Sequence, residues 1–244
     1  MRQISHLDAK RCETDMPDQD DRPRELDYNS PEFANAAAEL YNSPSLHISN
    51  IVHGRRNLDS RVEYRRTANP DDDNFEIPEQ IVLKRWKSRN PGPQNLRFSG
   101  FRLSPNVWKS LHFAFGFDVE ALCSFSAEEI DEIYIKQATQ AEFIERHFKR
   151  MAGTKVKMLT KALGKVKLKK VLERHNDPNF PELYGTPDLF LYALNSDSHT
   201  INHFRFVEVK KPKEPLSRDQ INELGFLKNE LGVKARVLRL IEAK

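Results

Sequence analysis

The sequence lacks the features that mark several broad classes of protein. Its 244 residues include only two cysteines, Cys12 and Cys123, which cannot build a disulfide framework or a structural zinc site by themselves. The longest apolar run, residues 189–194, is far shorter than the roughly 20 residues that cross a bilayer. The first residues hold no apolar stretch of the kind found in a secretory signal. We therefore exclude a disulfide-rich secreted protein, a zinc finger and a membrane-spanning protein, and expect an intracellular globular protein.

The chain as a whole has almost no excess of one charge sign, but one of its segments is strongly basic. The net charge is only +3. Residues 146–174 nevertheless hold eleven Lys and Arg side chains against a single acid, Glu173. Apolar residues are interleaved with the basic ones, which indicates a folded segment, although the pattern is compatible with either helix or strand. Such a local excess in a nearly neutral chain favours contact with nucleic acid over a merely solvated surface.

Hydrophobic residues are also scarce at the N-terminus and become frequent only after residue 75. Residues 1–30 hold eight acids and five Lys and Arg side chains, with few large apolar ones. This composition predicts a flexible or partly ordered extension over residues 1–75, with one short helix around residues 31–41. Residues 76–119 are rich in aromatic side chains and are predicted as a small accessory region of unknown role. The more regular patterns lie in residues 120–244.

Regular elements are marked most clearly in the C-terminal half. Capping boxes at residues 126–129 and 217–220 predict helix starts, and a third candidate box predicts a helix through residues 142–150. The helix that begins at residues 217–220 is expected to stop at Gly232. Short apolar or alternating runs before and after that helix predict two paired strands and then a third strand, at residues 189–194, 204–210 and 233–240. Strand, strand, helix and strand in this order predict a mixed α/β sheet.

Two acids and a lysine lie where apolar strands would not be expected to carry charge. Asp188 stands at the head of the first strand, and Glu208 and Lys210 lie inside the second. Residues two apart on a strand point to the same face, so Glu208 and Lys210 project together. Burying an unpaired carboxylate costs several kcal/mol, which calls for a cation, a hydrogen-bond network or solvent. Taken alone, these charges fit either a structural ion pair or a site for a hard cation such as Mg²⁺ or Mn²⁺.

The series of short motifs around these residues resembles the PD-(D/E)xK nuclease superfamily, and most closely its VRR-NUC branch. The matching stretches are residues 185–189 (GTPDL), 206–210 (FVEVK), Leu216-Ser217-x-x-Gln220, and 232–237, where Gly-Val-x-x-x-Val closes the module. The match covers about 60 residues well and about 110 in outline, whereas residues 1–120 match no family. The resemblance implies a restriction-endonuclease-like α/β core, a mixed sheet with flanking helices, at residues 120–244.

The resemblance also implies a role for each matching residue. Asp188 and Glu208 would bind Mg²⁺ or Mn²⁺, with the backbone carbonyl of Val209 as a further ligand. Lys210 would orient or help to deprotonate the attacking water and offset charge on the phosphate. Gln220 would support the site, although its place in a capping box explains it equally well.

Family members place one more glutamate on the first core helix. Glu145 is the residue we expect in that role, because Glu145-Arg146-x-Phe148 resembles the Glu-Arg-x-Leu of archaeal Holliday-junction resolvases. Glu142 is the rival, and its capping-box position gives it a structural explanation.

The sequence as a whole predicts a metal-dependent DNA endonuclease that hydrolyses phosphodiester bonds in branched or flapped DNA, of the junction-resolvase or repair type. A homodimer would suit the cutting of two strands. Two alternatives stay open: a non-catalytic nucleic-acid-binding module that retains the nuclease fold, and an interaction protein whose N-terminal residues recruit a partner. The expected DNA contacts are the lysines of the basic segment, Lys155, Lys157, Lys161, Lys165, Lys167, Lys169 and Lys170.

Overall fold

The computed structural model of the chain describes eight stretches of residues: 48–56, 62–65, 75–90, 92–104, 107–140, 151–176, 185–211 and 214–242. The helices predicted at residues 31–41 and 142–150 lie outside these stretches. No helix within the described stretches is both long and apolar enough to span a bilayer.

A six-stranded mixed sheet organises the described residues. Its strands in chain order are β1 (Ile48–Arg56), β2 (Val62–Arg65), β3 (Leu96–Arg102), β4 (Leu189–Asn195), β5 (Ile201–Lys210) and β6 (Ala235–Glu242). Across the sheet they follow the order β2-β1-β6-β5-β4-β3. The β3–β4 and β4–β5 pairs are antiparallel and form a meander at one side, whereas β6 runs parallel to both β5 and β1. The predicted mixed α/β sheet is confirmed.

Within the described stretches, six α-helices flank this sheet. They are α1 (Pro78–Lys87), α2 (Val107–Phe115), α3 (Val119–Ser124), α4 (Ala127–Gln140), α5 (Gly153–Asn176) and α6 (Arg218–Gly225). Both capping boxes form as predicted: Ser126 and Glu129 exchange hydrogen bonds before α4, and Ser217 and Gln220 do so before α6. The chain continues from α6 through a π-helical turn and leaves it near Gly232, whose φ of 62° favours glycine.

The structure shows whether the basic segment is helix or strand, which the sequence did not decide. From Gly153 onward it is helical, but Gly164 breaks the helix with φ 68° and ψ 171°. Buried apolar residues recur every three or four positions on each side of the break, at 156, 159 and 163 and then at 168, 171 and 172. Because the break resets the helical phase, no single 3.6-residue period runs through the segment, and residues 165–169 imitate a strand.

The two faces of the sheet carry different hydrophobic clusters. Phe206 belongs to a cluster that contains side chains of α2 to α6, whereas its neighbour Val207 packs with α1 on the opposite face. This division follows from the alternation of side chains along a strand. The predicted accessory region, residues 76–119, supplies β3, α1 and α2 and is therefore structurally continuous with residues 120–244. Its role stays a prediction.

A buried charge cluster joins the end of α5 to α6. The Glu223 carboxylate lies 3.0 Å from Nε2 of His175 and accepts a hydrogen bond of 3.3 Å from Nε of Arg174. Burial by itself raises the pKa of Glu223, but the charges and hydrogen bonds of His175 and Arg174 outweigh it and lower that pKa. Gly185 packs so closely on α6 that an added Cβ would lie 2.1 Å from the Asp219 carbonyl oxygen. The cluster thus fixes the helix against which the chain segment before β4 rests.

Removing the Glu223 charge should destabilise the protein strongly. Glu223→Gln is expected to lower the free energy of unfolding by about 3 kcal/mol, because it removes the buried negative charge that binds Arg174 and His175. Glu173→Gln is the matched control, since Glu173 forms an exposed ion pair with Lys169 one helical turn away and should cost less than about 0.5 kcal/mol. Urea unfolding of both variants measures the difference, and equal losses would contradict the assignment.

We expect the contribution of the Glu223 carboxylate to the free energy of unfolding to be lost at acid pH. Because the folded pKa of Glu223 lies below its ordinary value of 4.5, its contribution is present above that pH and is lost as the pH falls through the folded pKa. Urea unfolding between neutral pH and the acid range should therefore show a steeper loss for the wild type than for Glu223→Gln. Parallel curves for the two proteins would contradict this prediction.

Candidate active site

The register of β4 and β5 brings Asp188 and Glu208 together. Leu189 pairs with Val207 in the antiparallel ladder, so the preceding Asp188 lies beside the following Glu208. The Asp188 carboxylate accepts a hydrogen bond of 2.8 Å from the backbone N–H of Val209. Its own carbonyl oxygen accepts another, of 2.9 Å, from the N–H of Leu103. Asp188 is therefore fixed between two strands, with its side chain turned toward the end of β5.

Glu208 and Lys210 are buried side by side on the face of β5 that carries Phe206. Nζ of Lys210 lies 3.1 Å from Oε1 of Glu208 and 3.5 Å from Oε1 of Glu214. Only 3% of Glu208 and 4% of Lys210 is exposed. A lysine buried in this way is held by its ion pairs and presents a positive charge at one fixed place.

Gln220 combines the two roles that the sequence left open. Its side-chain oxygen accepts a hydrogen bond of 2.9 Å from the N–H of Ser217, which completes the capping box. Its Nε2 donates a hydrogen bond of 2.5 Å to Oε1 of Glu208. The start of α6 therefore orients the Glu208 carboxylate directly.

The electrostatics of the pair favour a cation. Burial, together with the charge of Asp188, raises the pKa of Glu208 to about 8 against the opposing effect of Lys210. Burial raises the pKa of Asp188 to about 6, although the hydrogen bond from Val209 opposes it. With both acids ionised, the pair would carry one negative charge more than Lys210 offsets, and the raised pKa values show that burial disfavours this state when no further cation is present. Oxygen donors with unbalanced negative charge fit a hard divalent ion.

A further acid at this site was missed in the sequence. Glu79, in the first turn of α1, adds to the raised pKa of Asp188 through its charge. It also lies 3.8 Å from the guanidinium of Arg102 on β3. The signal that could have found it is the helix start: Pro78 as first residue followed by an acid is typical of an N-terminal turn.

The described residues do not contain a complete set of side-chain ligands for a metal ion. No group of three His, Cys, Asp or Glu side chains gathers closely enough within them to hold one. The predicted Glu145 and its rival Glu142 lie outside the described residues. The backbone of Val209 is adjacent to both carboxylates, and the role of its carbonyl oxygen stays a prediction.

The seven predicted DNA-binding lysines all lie on α5, and four of them contact protein groups. These contacts are Lys157 with the Cys123 carbonyl (2.7 Å), Lys161 with the His199 carbonyl, Lys165 with Glu120, and Lys169 with Glu173 (3.8 Å). The Lys161 contact places the middle of α5 at the β4–β5 turn. That turn is separated from Asp188 by the seven residues of β4, about 23 Å of strand. Lys155, 5.8 Å from the ring of Phe101, lies nearer the site.

Comparison with known proteins identifies one family. The model of the VRR-NUC domain matches residues 127–240. No curated protein matches the chain. Among solved structures, paFAN1 bound to 2-nt 5′-flap DNA with a gap is similar with 14% identity and a TM-score of 0.46, over 68% of this chain and 35% of that one. The complex with a 1-nt 5′ flap gives 15% identity and a TM-score of 0.31, over 74% of this chain and 39% of that one.

The chain thus spans little more than a third of the length of the paFAN1 chains that it matches. Likeness at this level is too distant to transfer a function. The family match does not depend on these structures. It covers residues 127–240, which include all four motifs described above. Residues 127–240 of this chain match the VRR-NUC domain.

Proposed function

We propose that the protein is a divalent-metal-dependent DNA endonuclease that hydrolyses phosphodiester bonds. The observation that carries this proposal is the buried pair Asp188 and Glu208, which are held together by strand pairing and accompanied by the ammonium of Lys210. Two acids whose pKa values burial raises to about 6 and about 8 are costly to keep side by side without a cation. A structural ion pair with Lys210 would account for only one of them.

Asp188 and Glu208 would hold Mg²⁺ or Mn²⁺, with the backbone carbonyl of Val209 as a further ligand. A helix glutamate would complete the set: Glu145 is the residue that the family pattern suggests, and Glu79 is the described helix acid whose charge acts on Asp188. A divalent ion bound there would make the attacking water more acidic and neutralise charge on the phosphate.

Lys210 and Gln220 would contribute without touching the ion. The Lys210 ammonium stands 3.1 Å from Glu208, so a phosphate or water at the carboxylates would meet a fixed positive charge. Charge arranged in advance in a site of low dielectric stabilises the developing negative charge at little reorganisation cost. Gln220 holds the Glu208 carboxylate in one orientation, as hydrogen-bonded neighbours of metal ligands commonly do.

Branched or flapped DNA is the substrate class that we propose. The VRR-NUC motifs, which lie within the matched residues 127–240, are what support this class. A homodimer would serve a substrate with two strands to cut, and an intracellular location would give access to such DNA. Both remain proposals.

Substitution of the site should abolish cleavage and spare binding. Asp188→Asn and Lys210→Met are expected to lower the cleavage rate of labelled flap and four-way-junction DNA by more than about a thousandfold, since each removes a transition-state interaction. Asp197→Asn is the matched control, because Asp197 lies in the β4–β5 turn at the other end of the same strands. Gel analysis with Mg²⁺, Mn²⁺ or EDTA gives the rates.

Two outcomes of that experiment would be decisive. Asp188→Asn cleaving as fast as the wild type would refute the site. DNA binding with no product in any metal would favour the non-catalytic module instead.

Metal binding should depend on pH in a direction that the carboxylates set. The pKa of Glu208 rises from 4.5 to about 8 on folding, so the metal-free protein should lose stability as the pH rises between these values. Added Mg²⁺ should restore about 2–3 kcal/mol at saturation, and more at the alkaline end, because binding displaces the proton. Urea unfolding with Mg²⁺ or EDTA measures this.

Glu208→Gln should remove the loss of stability at pH values above the Asp188 pKa of about 6, together with the Mg²⁺ effect. The exposed Glu128→Gln, on α4, serves as the control and should leave both unchanged. A Mg²⁺ effect that persists in Glu208→Gln would show that the ion binds elsewhere.

We propose that the lysines of α5 also contact DNA and that they contribute unequally to the binding affinity. Lys165 and Lys169 form ion pairs with acids, whereas Lys167 forms none within the described residues and Lys170 acts on Glu230 through its charge. The double variant Lys167→Gln/Lys170→Gln should reduce the salt slope of DNA binding by about 1.8, at about 0.9 for each phosphate contact. The matched variant Lys165→Gln/Lys169→Gln should reduce it less. Equal slopes for both variants, measured by fluorescence anisotropy, would contradict this assignment.

A further inference from the structure

A second basic feature lies on the face of the sheet opposite to Glu208 and Lys210. It is built around Trp86, the buried tryptophan near the end of α1. The indole N–H donates to two backbone carbonyls, those of Ser99 on β3 (2.9 Å) and Tyr192 on β4 (3.1 Å). Phe98 packs edge-on against the ring, with centroids 5.0 Å apart. The ring is therefore fixed and provides a rigid platform.

Two guanidinium groups stack on this platform from different elements. The guanidinium carbon of Arg89, just after α1, lies 4.7 Å from the centroid of the Trp86 ring, and that of Arg205, on β5, lies 4.9 Å from it. A third arginine, Arg236, lies on β6 beside Val207 and shares its face with the buried Leu238. We call Arg89, Arg205 and Arg236 the arginine cluster.

The arginine cluster lacks acidic partners among the residues that the structure describes. Burial, followed by the charges of Arg236 and Arg89, lowers the pKa of Arg205, and no acid of the described stretches opposes that shift. Nε of Arg205 is buried without a hydrogen-bond partner within the described residues. Arginine stays protonated in proteins, so the three positive charges repel one another. The missing component is an anion.

The surroundings hold Arg89 in place instead of leaving it on a loose loop. The side chain of the next residue, Asn90, accepts a hydrogen bond of 2.7 Å from the N–H of Phe98 and donates one of 2.9 Å to its carbonyl. A basic residue at the end of a helix is explained by the helix dipole alone. That explanation does not extend to Arg205 and Arg236, which lie on strands.

We propose that the arginine cluster, with Trp86 as its platform, binds the phosphate backbone of the DNA at a distance from the bond that is cut. This inference rests on the proposed function. Guanidinium groups bind phosphate oxygens through two parallel hydrogen bonds, and stacking on an aromatic ring fixes them for that purpose. An unbalanced, partly buried positive charge is the complement of a phosphodiester backbone.

Helix α1 links this surface to the candidate active site. Its first turn carries Glu79, whose charge acts on Asp188, and Arg89 follows ten residues later. At 1.5 Å per residue the two positions are about 15 Å apart, which corresponds to about four nucleotides along one strand. The DNA that reaches the arginine cluster therefore has to extend beyond the cleavage site.

The test is DNA binding by a cleavage-deficient protein. In the Asp188→Asn background without metal, we would compare Arg89→Gln/Arg205→Gln with Arg97→Gln by fluorescence anisotropy on labelled 5′-flap DNA. Arg97 is an exposed residue of β3 on the opposite face. Loss of two phosphate contacts should reduce the slope of log affinity against log salt concentration by about 1.8. If the two proteins bind equally at about 1 M salt, this change makes the variant bind about 30-fold more weakly at about 0.15 M salt. Arg97→Gln should change neither.

Two further measurements keep the test independent of folding and of length. Arg89 is exposed, so Arg89→Gln alone should fold normally and lose about half of the slope change. DNA with arms of only two or three nucleotides around the cleavage site is too short to reach the arginine cluster. It should bind the Asp188→Asn protein equally well with and without the Arg89→Gln/Arg205→Gln substitutions. A loss of affinity that is the same on short and long DNA would overturn the proposal.

The outcomes separate this inference from the proposed function. Unchanged affinity and slope in Arg89→Gln/Arg205→Gln, with normal cleavage in the Asp188-containing protein, would refute the arginine cluster alone. Weakened binding in that variant without cleavage by the wild type would refute the proposed catalysis and support the cluster. No DNA binding by the Asp188→Asn protein at low salt would refute both.

Discussion

Asp188 and Glu208 repel each other, yet the fold holds them together away from bulk water. The antiparallel register of β4 and β5 makes them neighbours. The N–H of Val209 holds the Asp188 carboxylate, and Gln220 and Lys210 hold that of Glu208. Burial raises the pKa of both. A protein that keeps such a pair at the end of two central strands gives up stability there, which is the pattern expected of a functional site.

Helix α6 transmits the order of the buried core to this pair. Gln220 and Glu223 are three positions apart and so lie on one side of the helix. Gln220 binds Glu208, and Glu223 binds Arg174 and His175 at the end of α5. The orientation of a site carboxylate therefore depends on a buried ion cluster that is not itself part of the site. This arrangement explains why a glutamine that completes a capping box can also position Glu208.

The sequence was informative where structure and chemistry are encoded locally. Capping boxes, strand alternation and the motifs around Asp188 and Glu208 each occupy a few adjacent residues, and the elements that they predict are present. Glu79 reaches the site only through the packing of α1 on the sheet, which no motif along the chain encodes. Gly164 hid a helix because its backbone conformation interrupts the period. Arg205 and Arg236 belong to separate strands, so no pattern along the chain could group them with Arg89.

The charges on the two faces of the sheet complement the two components of a nuclease complex. On one face the carboxylates exceed their nearest cation, which leaves room for a metal ion; on the other face the arginine cluster lacks acids among the described residues, which leaves room for phosphate. A phosphodiester strand with its counter-cation supplies both charges at once, and α1 spans the distance between them with Glu79 at one end and Arg89 at the other. The sheet lies between these carboxylates and the arginine cluster, so the two groups do not neutralise each other. Their separation across the sheet is the reason to interpret both as binding surfaces.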